Sequence, residues 1–170
     1  MPTVSPDARL AWHFIGPIQS NKTRPVAEHF DWVHTVEREK IAARLSEQRP
    51  SALGPLNVCV QVNISGEASK SGAAPAEVAA LAGAVAQLPN LRLRGLMAIP
   101  EPVEDFAAQR AAFAALRELY EGLRGSFGPE FDTLSMGMSA DMRAAIFEGA
   151  TIVRVGSAIF GARTSSQERP

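Results

Sequence analysis

Residues 134–163 read LSMGMSADMRAAIFEGATIVRVGSAIFGAR, and this stretch decides the fold. It parses as a strand, a polar turn, a short helix, a second strand and a glycine turn. Each of the two turns can present backbone N–H groups to a phosphate. Ser139 stands directly ahead of the helical sequence ADMRAAIFE. Its Oγ can cap that helix, and the free N–H groups behind it can hold an anion; a plain N-cap has the same sequence. Gly156 follows Val155 and permits either a close backbone approach or a simple turn. Arg154 lies inside the apolar run IVRVG. A buried guanidinium without a partner is costly, so Arg154 is expected to donate to a ligand atom or to pair with a carboxylate such as Asp141. Together these features point to a small phosphorylated ligand at one end of a parallel sheet.

Outward from this stretch, strand-like and helix-like segments alternate. Strands are expected at 10–16 (LAWHFIG), 32–36 (WVHTV), 56–63 (LNVCVQVN), 91–99 (LRLRGLMAI), 133–136 and 152–155. Helices are expected over 21–29, 37–49, from Pro75 onward, within 103–125 and over 140–148. Pro25 falls inside the first helix, so that helix is either kinked or starts late. Ile41 and Leu45 share a face of the second. Val78, Leu81, Ala82 and Val85 form one apolar stripe of the third, and Phe106, Phe113, Leu116, Tyr120 and Leu123 line the fourth. This βα rhythm belongs to a parallel sheet, either a barrel or an open doubly wound form. Several strands are apolar nearly throughout, as strands covered on both faces are. The pattern supplies six strands, whereas a closed (β/α)8 barrel has eight and about 250 residues.

Composition bounds the function. The chain has 170 residues, 46% of them hydrophobic and 21% charged, with a net charge of −1. This balance gives no electrostatic reason to expect nucleic acid or an anionic membrane as partner. The single cysteine, Cys59, lies in an apolar run and is expected in the core, as suits a cytoplasmic protein. No apolar run approaches the ~20 residues that span a bilayer, and the first residues lack the pattern of a signal peptide. GxSxG, Walker and HExxH motifs are absent from the sequence, and His29 and His34 make no metal-ligand spacing with carboxylates. His13, between Trp12 and Phe14, is expected as a satisfied core histidine. Asn63 ends a strand, as a turn-former does. Lys70 reads as a solvated lysine in a Gly/Ser loop or as a phosphate contact.

Taken together, WHFIGPIQSNKTR (12–24), WVHTVER (32–38), VQVNISGEASKSG (60–72), LRGLMAIP (93–100) and residues 134–161 resemble the pyridoxal phosphate homeostasis protein family, which is similar to the barrel domain of alanine racemase. The resemblance covers residues 10–163, and five motifs in the right order make it specific. It implies an α/β fold, a TIM-type (β/α)8 barrel that binds pyridoxal 5′-phosphate (PLP). It implies that Ser139, Gly156 and Ser157 hold the phosphate and that Arg154 faces the pyridine nitrogen. Asn63 and Met97 are implied near the ring or its edge. The implied role is non-catalytic PLP homeostasis, with PLP-dependent client enzymes as possible recipients. A racemase-like enzyme and an inactive fragment are the alternatives.

The sequence departs from the family in one large respect. The family carries the lysine that bonds PLP on its first strand, followed by a motif like FGENYVQE, and this chain has neither. Its lysines are Lys22, Lys40 and Lys70, none on an expected strand. The expected organisation is therefore a linker-like start over 1–9, about six βα units over 10–163 with the first two missing, and a frayed tail over 164–170. An opened barrel leaves unpaired edges at 10–16 and 152–155, so the chain is expected to self-associate, whereas the full-length family form is expected as a monomer. PLP without its covalent lysine is expected to bind weakly and reversibly.

Overall fold

Five parallel strands lie side by side in the order in which the chain makes them: β1 (His13–Phe14), β2 (Trp32–Val36), β3 (Leu56–Gln61), β4 (Leu91–Met97) and β5 (Thr133–Ser135). The computed structural model describes residues 10–66 and 71–161. Helices α1 (Thr23–His29), α2 (Glu39–Gln48), α3 (Val78–Ala86) and α4 (Phe106–Phe127) connect the strands. After β5 come α5 (Met142–Phe147) and α6 (Ser157–Phe160).

The order settles the choice between barrel and open sheet. Parallel crossovers are right-handed almost without exception. An order that never reverses therefore sends every connecting helix to the same face. A doubly wound sheet reverses once and covers both faces. Here α1 packs on α2 and α2 on α3, while α2, α3 and α4 all lie against β4. The sheet is a curled wall of a barrel with its helices outside.

The expected helix stripes form the outer core. Ile41, Ala42 and Leu45 of α2, Val78, Ala82 and Val85 of α3, and Phe113, Leu116 and Tyr120 of α4 are all buried. Tyr120 also donates its hydroxyl to the Phe131 carbonyl at 2.9 Å. Phe106 departs from its stripe: it is exposed at the start of α4 and meets Phe147 edge-on. The first helix starts late, at Thr23. Pro25 thus falls in its first turn, where no intrahelical N–H bond is lost. Cys59 is fully buried, and burial pushes its thiol up to about 12.

Two expectations fail at the sheet edges. The strand over 10–16 shrinks to two paired residues, and the strand over 152–155 to one bridge between Ser135 and Ile152. Each borders a single neighbour, so little ladder holds it. His13 consequently lies exposed on an edge and is no core histidine. Leu10, Trp12 and Ile15 at one edge, and Val155, Ile159 and Phe160 at the other, are exposed apolar side chains.

A buried ion cluster joins α4 to α5. Glu148, 2% exposed, accepts from Arg110 Nε at 2.7 Å and from Arg117 Nη1 at 2.9 Å. No helix among the described residues is long and apolar enough to cross a membrane, and none of their His, Cys, Asp and Glu side chains group as a metal site. The reading of Lys70 falls outside the described residues, as do the expected linker over 1–9 and the tail over 164–170.

Candidate functional site

The carboxyl ends of the strands share one pole, as in any parallel sheet with βα connections. β5 ends at Ser135, and the chain turns through Gly137, whose φ of +93° is foreign to most side chains. A Cβ on Gly137 would lie 2.5 Å from Ala145 Cβ, so glycine lets α5 sit tightly against the turn. The second loop returns to the same place. Arg154 N donates to Gly137 O at 3.0 Å, and Gly156 N donates to Ser139 Oγ at 3.4 Å. The two turns singled out in the sequence therefore meet.

Ser139 does not cap α5. The helix starts at Met142 behind Asp141, whose Oδ1 accepts from Met138 N at 2.6 Å. Asp141 closes the turn ahead of the helix and displaces Ser139 from the capping position. Ser139 Oγ is left facing Gly156 across a bond long enough to be weak. A ligand oxygen can replace that bond at little cost. Ser157 opens α6, and the N–H groups of the first residues of a helix have no intrahelical acceptor.

Arg154 is buried, and its neighbours are unusual for a buried cation. Nη1 donates to Ser135 Oγ at 2.9 Å and Nη2 to Ala98 O at 3.1 Å, while Nε faces Met138 Sδ at 3.3 Å. Of the two alternatives offered by the sequence, pairing with Asp141 is not made; that carboxylate instead accepts from Met138 N. Burial lowers the guanidinium's proton affinity and Asp141 raises it from a distance. Among the described residues no carboxylate contacts Arg154, so a buried positive charge has only neutral partners. Three contacts leave part of its five-hydrogen fork to give.

Met97 ends β4 in register with Ser135 and is fully buried beside this cluster. Asn63 follows β3 and closes its own turn, accepting from Gly66 N at 3.1 Å. The structure thus gathers Ser139, Arg154, Gly156 and Met97 around β5 and leaves Asn63 in the β3 turn. A cavity of about 340 Å³ opens at the same pole, lined by Gly16, Thr35, Gln61, Ile99 and Pro100.

Two further residues of the site, Ser135 and His34, were not legible as such. Ser135 Oγ contacts both Arg154 and His34 Nδ1, the latter at 2.7 Å. His34 Nε2 meets His13 Nδ1 at 2.8 Å. His13 stacks on Trp32, and the Arg94 guanidinium lies over the same indole ring. The polar identities of Ser135 and His34 inside apolar strands were the available signal. Strands buried on both faces offer no alternation by which to aim such a residue.

His34 is fully buried, and its pKa falls from 6.5 to about 4 through desolvation first, then the nearness of His13 and Arg154. Unfolded chains protonate this imidazole near pH 6.5, whereas the native state keeps it neutral to about pH 4. The unfolded state binds more protons within that window, so stability is complete above it and falls as pH drops. The expected loss at pH 5 relative to pH 8 is about 2 kcal/mol from this group. Urea midpoints across that range measure it, and a His34→Asn variant with the same pH slope as the parent would refute the assignment.

The donor set has one chemical character: a hydroxyl, backbone amides and a guanidinium, with no carboxylate among the described residues contacting them. It fits the oxygens of an anionic ligand such as a phosphomonoester. Comparisons with known proteins give the family. The family described as alanine racemase, N-terminal domain, matches residues 7–164. A pyridoxal phosphate homeostasis protein of Pseudomonas aeruginosa is 71% identical over 157 residues, 92% of this chain and 66% of that protein. Its counterpart from Vibrio cholerae is 63% identical, covering 95% of this chain and 68% of that protein. The chain thus spans about two thirds of the length of these relatives. The solved structure of PipY from Synechococcus elongatus with PLP bound superposes with a TM-score of 0.77 at 36% identity, covering 89% of this chain and 71% of that one.

Proposed function

The chain belongs to the pyridoxal phosphate homeostasis protein family, and from that premise we propose that it binds PLP reversibly and serves cytoplasmic PLP homeostasis by buffering or handing over the cofactor. One observation carries the reading: Ser139 Oγ, Gly156 N–H and the buried Arg154 converge where the two loops meet, with no carboxylate among the described residues contacting them. Ser139, Gly156 and Ser157 hold the phosphate. Arg154 gives a hydrogen to the pyridine nitrogen, which must then accept it unprotonated. Met97 and Asn63 border the ring. When bound, PLP supplies a reactive aldehyde and an electron-withdrawing ring.

The role is non-catalytic. The imidazole closest to Arg154, His34, has both nitrogens engaged and is held neutral. It is therefore poorly placed to exchange a proton with a substrate. Among the described residues Lys22 lies in a helical turn and Lys40 on α2, neither on a strand; on this reading phosphate and ring contacts hold the cofactor. PLP-dependent enzymes are the proposed recipients. The exposed apolar side chains at both sheet edges support self-association of this chain.

Titrating the protein with PLP and following its absorbance tests the reading. Saturable binding that dialysis reverses is expected, with pyridoxal a poor competitor. Ser139→Ala and Arg154→Met should each weaken binding about tenfold or more. Borohydride treatment followed by mass spectrometry should give no stoichiometric lysine adduct, and alanine should not be racemised. Light scattering on the same samples should report more than one chain per particle. Unsaturable binding, or wild-type affinity in Arg154→Met, removes the proposal; a stoichiometric adduct or measurable racemisation removes its reversible, non-catalytic part.

A further inference from the structure

Four side chains form an unbroken hydrogen-bonded file from the buried cation to the sheet edge: Arg154, Ser135, His34 and His13, with successive contacts of 2.9, 2.7 and 2.8 Å. Such a file could run in either direction, because a hydroxyl and a neutral imidazole each both give and take. A guanidinium cannot: it only donates and does not lose its proton in proteins. Ser135 Oγ must therefore accept from Arg154. Among the described residues the Ser135 hydroxyl hydrogen then has one acceptor in contact, His34 Nδ1. The reverse arrangement, His34 Nδ1–H donating to Ser135, leaves that hydrogen buried without an acceptor, which costs more than an ordinary hydrogen bond is worth. His34 Nδ1 is thus the bare nitrogen, and its proton sits on Nε2. That proton goes to His13 Nδ1, which leaves the His13 hydrogen on Nε2.

We propose that Arg154 sets the direction of this whole file, and that His34, locked in its Nε2–H tautomer, is a positioning residue that holds Ser135 and so keeps the guanidinium aimed into the ligand site. The file is a brace and not a proton path, since its first member never releases a hydrogen. This assignment of aim rests on the PLP reading above; the tautomer does not.

Nitrogen-15 spectra of the cofactor-free protein near neutral pH test the tautomer without any variant. Expected are a bare-nitrogen signal at His34 Nδ1, a protonated signal at His34 Nε2, and a coupling from that Nε2 to His13 Nδ1 across the hydrogen bond. A proton on His34 Nδ1 overturns the proposal. In Arg154→Met the hydroxyl is released and His34 should show both tautomers. Retention of the single Nε2–H form there would mean that Arg154 does not set the direction. Ser135→Ala, checked for fold by circular dichroism, should weaken PLP binding about tenfold. Wild-type affinity in that variant overturns the positioning role. Absence of PLP binding in the parent defeats the site reading instead, and the nitrogen spectra still decide the tautomer.

Discussion

Gly95→Ala is expected to abolish the native fold, at a cost of about 4 kcal/mol or more. Gly95 sits in the middle of β4, paired with Cys59 on one side and Thr133 on the other. A Cβ there would run into the main-chain carbonyl of Thr133. Main chain in a paired strand cannot swing aside as a side chain can. The alternative is to part β5 from β4, and β5 carries Ser135 with its contact to Arg154. Stability and site should therefore fail together. Gly83→Ala is the control. This residue lies within α3, and an added methyl would meet nothing within 4 Å, so a gain of about 0.5–1 kcal/mol is expected. Thermal melts of the two variants should move in opposite directions. A Gly95→Ala protein melting within a few degrees of the parent would show that β4 and β5 are not packed as described.

The second large effect concerns Glu148. Its carboxylate is almost entirely buried, whereas Arg110 and Arg117 keep 46% and 41% of their side-chain surface. The asymmetry fixes which side of the cluster matters. Removing the carboxylate leaves two arginines that water can still reach. Removing both arginines leaves a buried negative charge with nothing opposite, at a cost of about 3–5 kcal/mol. Arg110→Met with Arg117→Met should therefore be far worse than Glu148→Leu. Adding Glu148→Leu to the double variant should restore most of the stability, because no uncompensated charge remains. Urea unfolding of the three proteins gives the comparison. If the double variant unfolds at the parental midpoint, Glu148 is not buried. Because α5 abuts the Gly137 turn, weakening this clamp should also loosen the Ser139 loop.

Much of this architecture was legible, for identifiable reasons. The apolar stripes of α2 and α3 repeat at helical spacing, and Trp32–Val36 is dense in β-formers, so β2 was placed to the residue. The convergence of Ser139 and Gly156 followed from two glycine- and serine-bearing turns placed after strands. The errors have equally specific causes. LAWHFIG has strand composition, but it lies at the edge, where β2 alone pairs with it and only at His13 and Phe14. Ser139 precedes the helix with capping chemistry, yet Asp141 two residues later supplies the turn closure. A buried file such as Ser135–His34–His13 links residues 101 and 21 positions apart; local patterns carry no record of such separations. Gly95 did leave a trace: glycine inside an apolar strand signals close approach by another backbone.

The uninterrupted order of the strands has a consequence for biosynthesis. Each strand's partner is the one the ribosome released just before it. No segment waits for a distant later one before it can form its ladder. Growth of the wall can thus keep pace with elongation at roughly 5–20 residues per second, each new helix–strand unit docking on a finished template. The loop-closure entropy of every step stays small. The turns around Ser139 and Gly156 need β5 and the segment after it, so they assemble only after the four preceding strands of the wall are in place.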